Sequence, residues 1–325
     1  MNTEPGSAAE EPVDNGFPEK PAEETRQQSI NNSVISMVLF IAAAYWIFKL
    51  DIKYILVLTG VIFIHEMGHY LAMRMFHYKD LGIFFLPLLG AYATGTKENI
   101  SQKQNIIILL AGPLPGIIIG LVLYYFGLEH DDSFLIRTSN IFIFLNMLNL
   151  LPILPLDGGR VIKSLFFESN EKVSRIFMLL SAAAVTYYAV TVKDYVLLII
   201  PVFSLLQLVG LAEIKRVKEE VQNKGISLDR SFNELTDEEY WLIRDEIGTH
   251  MKYFSRSITP GAYTVADNEQ RIVKQVKAII QKKPTKDLKA GGKILVVTIW
   301  VMSFVIPVVV IALYYSRLGI NIFNR

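Results

Sequence analysis

Apolar residues run in long blocks from residue 33 to residue 214, separated by short polar stretches. The blocks at 33–50, 54–76, 105–128, 134–156, 173–192 and 195–214, with an isolated one at 294–315, each approach the ~20 residues a helix needs to cross a hydrocarbon core. The pattern predicts an all-α polytopic membrane protein with about seven transmembrane helices.

Two polar segments interrupt this pattern. Residues 1–32 are rich in Glu, Pro, Ala and Ser and carry too few apolar residues to bury a core, so they are expected to be a disordered acidic tail. They lack the basic region and adjacent apolar run of a signal peptide. Residues 215–292 read differently. Thr236 followed by Glu239 is a capping-box start, and Ile272, Val273, Val276, Ile279 and Ile280 share one helical face. The expected organisation is therefore a membrane-embedded domain at 33–214, a small cytosolic helical segment at 215–292 and a C-terminal span at 293–325.

Charge orients the spans. Arg74, Lys79, Lys97 and Lys103 lie between the second and third blocks, and Arg160, Lys163, Lys172 and Arg175 between the fourth and fifth. Lys215, Arg216 and Lys218 follow the sixth, whereas the loop around Glu129, Asp131 and Asp132 is acidic. The positive-inside rule then places the N-terminus and residues 215–292 in the cytosol and the C-terminus outside, as in a bacterial cell membrane. Lys49 and Lys53 fall on the outer side against this trend.

Composition narrows the picture further. Of 325 residues, 52% are hydrophobic and 19% charged, which is too apolar for an ordinary soluble domain. A net charge of +1 gives no bulk attraction for nucleic acid. The chain contains no cysteine, so a metal would have to be held by His, Asp or Glu.

Against that background the run "VIFIHEMGHYLAM" at 61–73 is costly, because ionisable groups inside a span are rarely accidental. His65 and His69, at i and i+4, lie on one helix face and can grip a single zinc ion at ~2.0–2.1 Å. Glu66 beside the first of them is placed to take a proton from water at the metal. Gly68, between them, would let another segment approach closely or ease helix packing. The competing interpretation is a buried hydrogen-bonded cluster without metal.

A catalytic zinc has three protein ligands and an open position. Asp157, in "NLLPILPLDGGR" at 149–160, sits at the inner end of the fourth block among Pro152, Pro155, Gly158 and Gly159, which break the helix. Such an Asp-Gly is also a common turn former. Paired with the histidines it is the best third ligand in the chain.

H-E-x-x-H in one span and N-x-x-P-x-x-P-L-D-G-G in a later one resemble the site-2 protease family of intramembrane zinc metalloproteases, over roughly residues 54–175. The resemblance implies that His65, His69 and Asp157 bind one Zn2+ ion and that Glu66 is the catalytic base. It implies that Asn149 positions the substrate or transition state. It further implies hydrolysis of peptide bonds in membrane-spanning protein substrates, within or beside the lipid bilayer, often in regulated proteolysis of membrane-tethered factors. "AGPLPG" at 111–116 resembles the family's G-P segment, although Gly116 stands where the family often has Asn. "LGIFFLPLLGAY" at 81–92 resembles a short re-entrant β-hairpin that can hold a substrate by strand addition.

Neither a PDZ insertion nor a nucleotide-sensing domain is recognisable. His77, His130 and His250 are expected to be ordinary polar positions. Three other classes fit less well. A protease with a later glutamate ligand lacks an intramembrane Glu in a later span. An inactive family member serving as a membrane scaffold would have no need of an intact Glu66. A transporter would distribute polar groups along a path through several spans.

Overall fold

The computed structural model describes residues 16–22, 30–49, 51–87, 90–167, 170–280, 282 and 284–317. The chain forms two compact units, one from residues 25–209 and 283–325, the other from residues 1–24 and 210–282.

The larger unit opens with α1 (Ile30–Phe48) and α2 (Ile52–Met75), the latter capped by Asp51, which accepts from the Lys53 amide at 2.9 Å. A hairpin follows, β1 (Lys79–Leu86) paired antiparallel with β2 (Gly90–Thr96), with Ile83 opposite Ala93 and Phe85 opposite Ala91. Alternation along β1 turns Ile83 and Phe85 inward, where they pack with Phe40 of α1 and with Ile62, Met67 and Tyr70 of α2. The Phe85 amide also donates to Ser36 Oγ at 3.1 Å.

The third apolar block is two helices in sequence, α3 (Gln102–Ala111) and α4 (Pro113–Glu129), rather than one. Pro113 has no amide hydrogen, so it interrupts the ladder of α3 and is tolerated as a first residue of α4. The fourth block yields α5 (Ser133–Asn149), which stops short of the expected residue 156 because Pro152 and Pro155 cannot continue it. After an irregular stretch, α6 (Asp157–Ile162) begins at the Asp-Gly-Gly sequence. Then come α7 (Glu171–Val192) and α8 (Ile199–Asn223), and α11 (Ala290–Arg317) ends the unit.

Among the described residues, four helical stretches are long and apolar enough to cross a membrane: Ile52–Met75, Gln102–Glu129, Lys172–Val192 and Ala290–Tyr315. The other three expected spans are helical but shorter or more polar. The apolar part of α1 is Asn31–Ile47, α5 has 17 residues, and α8 carries Glu213, Lys215 and Arg216.

The smaller unit takes the second half of α8 together with α9 (Asp237–His250) and α10 (Glu269–Ile279). Val217, Val221, Tyr240, Trp241, Ile243, Ile247, Ile272, Val276 and Ile279 form its core. The Thr236–Glu239 capping box is present, with the Glu239 amide donating to Thr236 Oγ1 at 3.2 Å and the Thr236 amide to Glu239 Oε2 at 2.9 Å. A buried ion pair ties α9 to α10: Arg244 Nε lies 2.9 Å from Glu269 Oε1, and the Tyr240 hydroxyl donates to the same carboxylate. Burial and that acidic partner push the Tyr240 phenol well above its ordinary pKa.

Residues 16–22 depart from the disorder expected for the tail. Phe17 meets Tyr263 at a ring-centroid distance of 4.7 Å, and Trp241 Nε1 donates to the Pro18 carbonyl at 2.6 Å. The Lys20 amide donates to Asp237 at 2.9 Å, while its ammonium reaches the carbonyls of Phe232 and Leu235. Composition failed here because one aromatic ring and one lysine, each with a prepared partner, suffice to seat a short segment.

Candidate metal centre

Three ligand-type atoms converge in the larger unit. His65 Nε2, His69 Nε2 and Asp157 Oδ2 lie 3.1 Å from one another in all three pairings, and all three residues are buried. The helical repeat of α2 stacks the two imidazoles on one face, and the N-terminus of α6 brings the aspartate to them.

The outer nitrogen of each ring fixes its tautomer. His69 Nδ1 faces the Ile108 carbonyl at 2.7 Å, an acceptor in the last turn of α3, so this nitrogen carries the hydrogen. His65 Nδ1 faces Asn146 Oδ1 at 2.9 Å. Asn146 Nδ2 donates to the Phe142 carbonyl at 2.7 Å, which turns the amide oxygen toward His65 and places a hydrogen on Nδ1 there too. In the neutral imidazoles both Nε2 atoms then present lone pairs, toward each other and toward a carboxylate oxygen. In that state the three acceptors repel unless a cation sits between them. Ligands ~2.0–2.1 Å from a tetrahedral ion are separated by about 3.3 Å, close to the spacing found. Outer partners of this kind on each imidazole are characteristic of metal sites.

The surrounding backbone is built for this approach. A Cβ on Gly68 would stand 1.9 Å from the Ala111 carbonyl oxygen, so only glycine lets the end of α3 lie against α2 between the two histidines. Gly116 plays the same part beside Asn146, whose Nδ2 would be 2.2 Å from an added Cβ. On the ligand loop, the Leu150 carbonyl is packed against Gly158 at a distance that excludes a side chain. Ser204 Oγ of α8 donates to the Leu154 carbonyl at 3.0 Å and anchors the loop's midpoint.

Glu66 is buried at 7% exposure next to these ligands, and the backbone amide of Ala93 on β2 faces its carboxylate. Glu66 thus lies between the histidine pair and the hairpin.

Asn149, expected to position the substrate or transition state, lies at the end of α5. Its side-chain amide donates to the Leu145 carbonyl one turn back, at 3.1 Å, and the asparagine that touches a ligand histidine is Asn146. Asn146 was open to detection as an amide buried in an apolar helix, which demands a partner. Its one-turn offset from the L-D-G-linked asparagine hid it. The other histidines stand apart from the cluster: His77 is exposed, His130 bonds the Phe126 carbonyl, and His250 pairs with Glu246 at 3.3 Å.

Comparison with known proteins follows the same lines. Residues 53–131 match Peptidase family M50. The chain is 30% identical over 158 residues to Stage IV sporulation protein FB of Bacillus subtilis, covering 44% of this chain and 53% of that protein. It is 29% identical over 141 residues to a zinc metalloprotease of Methanocaldococcus jannaschii, covering 42% of this chain and 36% of that protein. A solved site-2 protease from Methanocaldococcus jannaschii aligns with a TM-score of 0.40 at 21% identity, over 52% of this chain and 84% of that one. The chain therefore spans about half or less of the curated relatives it matches. The H-E-x-x-H helix lies inside the matched region, and over residues 53–131 the chain is similar to Peptidase family M50.

Proposed function

We propose that this protein is an intramembrane zinc metalloprotease that hydrolyses peptide bonds in membrane-tethered protein substrates. One observation carries the proposal: two imidazole Nε2 atoms and a carboxylate oxygen meet at 3.1 Å beside a buried glutamate, the histidines and the glutamate on a helix apolar enough to span a bilayer. His65, His69 and Asp157 would hold the ion. When bound, it supplies a Lewis acid that polarises the scissile carbonyl and makes a water acidic near neutral pH.

The chain's own groups do the rest. Glu66 accepts a proton from the attacking water and delivers it to the leaving amine. Asn146 and the Ile108 carbonyl hold the imidazoles in the tautomer that leaves Nε2 free. A helical substrate hides its carbonyls in i to i−4 bonds, so it must unwind before attack. Among the described residues β2 is paired only by β1, and its other edge offers an extended segment a place to add, adjacent to Glu66. Asn149, at the end of α5, is assigned to the substrate side in this reading.

The docking of residues 17–22 on the 210–282 unit supports a topology. Both must lie on one side of the membrane, so an even number of crossings separates them. Six spans satisfy this, and with α11 as a seventh the C-terminus faces the opposite side. The basic loops make the docked side the cytosol. Regulated proteolysis of tethered factors is the biological setting this reading favours.

Comparative membrane proteomics of wild-type cells and cells carrying Glu66→Gln tests the activity. Tethered fragments should accumulate in the variant; an unchanged proteome and unimpaired cleavage by the purified variant would overturn the proposal.

A further inference from the structure

The C-terminal helix lies outside the matched region, and most of its surface is exposed, with Ile294 at 68% and Leu295 at 59%. One stripe behaves differently. Val296, Val297, Trp300 and Phe304 pack on the cluster formed by Leu109, Leu150, Val161 and Leu165. Two polar groups on the same stripe make specific bonds. Trp300 Nε1 donates to the Leu150 carbonyl at 2.8 Å, and Lys293 Nζ donates to the Leu165 carbonyl at 3.2 Å.

These two carbonyls bracket the third ligand. Leu150 ends α5 just before the ligand loop, and its carbonyl is the one packed against Gly158, next to Asp157. Leu165 lies beyond α6, on the far side of Asp157. Carbonyls at helix ends lack intrahelical partners and need an outside donor where water is absent. An indole has a single N–H to give, and here it goes to the Leu150 carbonyl, which abuts the ligand's neighbour Gly158. Seven residues along α11 span about 10 Å, so the helix acts as a rigid bar touching both ends of the segment.

We propose that Trp300 and Lys293 are positioning residues for Asp157, and that α11 is a working part of the metal centre rather than a separate anchor. The inference rests on the assignment of His65, His69 and Asp157 as the metal site and identifies what holds the segment that carries the aspartate. Partners outside the ligand shell typically change metal affinity by ~10–100-fold.

The test uses full-length protein in detergent micelles and three variants. Trp300→Phe keeps an aromatic ring and removes the N–H, Lys293→Met removes the ammonium, and Phe304→Leu trims packing on the same stripe without touching either bond. Zinc affinity is read by chelator competition and ligand geometry by the Co2+ absorption spectrum. Trp300→Phe should bind zinc about tenfold more weakly with an altered Co2+ spectrum, and Lys293→Met should shift affinity in the same direction. Phe304→Leu should lower thermal stability with affinity unchanged. Wild-type affinity in Trp300→Phe, or an equal loss in Phe304→Leu, would overturn the inference. Hydrogen exchange of metal-free protein separates this outcome from failure of the metal assignment. Residues 150–165 should exchange several-fold faster in Trp300→Phe, and unchanged exchange would refute the bracket whatever metal binds.

Discussion

Asn146 Oδ1 sits 2.9 Å from His65 Nδ1 while its own Nδ2 is committed to the Phe142 carbonyl, so one buried amide places a hydrogen on the His65 nitrogen that faces away from the cluster. Asn146→Leu should weaken zinc binding by ~10–100-fold, since His65 loses its acceptor and can rotate or change tautomer. Asn146→Asp keeps an acceptor and should retain more affinity than the leucine variant. Chelator competition on the purified variants checks both; equal affinity in Asn146→Leu and wild type would remove Asn146 from the site.

Glu66→Gln and Asp157→Ala should separate chemistry from metal binding. Glutamine keeps the shape of Glu66 but accepts no proton, so zinc content should stay near one per chain while turnover falls by at least ~10²-fold. Asp157→Ala removes a ligand, so zinc content and turnover should fall together. Metal analysis alongside cleavage of a membrane-tethered reporter checks the pair, and full zinc occupancy in Asp157→Ala would place the third ligand elsewhere.

Gly68→Ala should be far more damaging than its single methyl suggests. The new Cβ would press on the Ala111 carbonyl oxygen at 1.9 Å, and the obstacle is backbone rather than a flexible side chain. Overpacking of this kind costs ~1–3 kcal/mol when the structure can adjust. Separation of α3 from α2 would also pull the Ile108 carbonyl from His69. A lowered melting temperature together with reduced zinc content is the expected result, and wild-type values for both would show that α3 is free to shift.

Membrane orientation can be read with cysteines, since the chain has none of its own. Single cysteines at Glu19 and Asn268 should both be shielded from an impermeant maleimide added to intact cells, whereas one at Glu129 should react. Labelling of Glu19 and Asn268 from opposite sides would contradict the seating of residues 17–22 on the smaller unit.

Much of the metal centre was legible because membrane depth makes charge conspicuous. His65, Glu66 and His69 stand out from an apolar run, and Asp157 from a proline-rich break, without reference to any neighbour. Features that depend on distant contacts were not legible. The bond from Asn146 to His65 crosses from α5 to α2, and an asparagine one turn away drew the attention. The division of the third block at Gly112 and Pro113 was written in the proline, yet hydropathy averages over such a break. Trp300 reads as one more apolar residue of α11 until the Leu150 carbonyl is placed against its nitrogen.

The seating of Phe17, Pro18 and Lys20 against Trp241, Asp237 and Tyr263 also imposes an order in time. The segment is synthesised before α1, and its partners are among the later residues made. At ~5–20 residues per second, roughly 10–50 s of translation separates the two. Throughout that interval Phe17, Pro18 and Lys20 lack these partners, while the apolar helices between are being made. A ribosome that stops before α9 leaves Phe17 solvated, and one that stops before Tyr263 leaves Trp241 half covered. Closure of this clasp therefore marks a chain whose helices up to α8 have all been made, and proteases that survey nascent membrane proteins would find the N-terminal segment accessible in every incomplete chain and sheltered in the finished one.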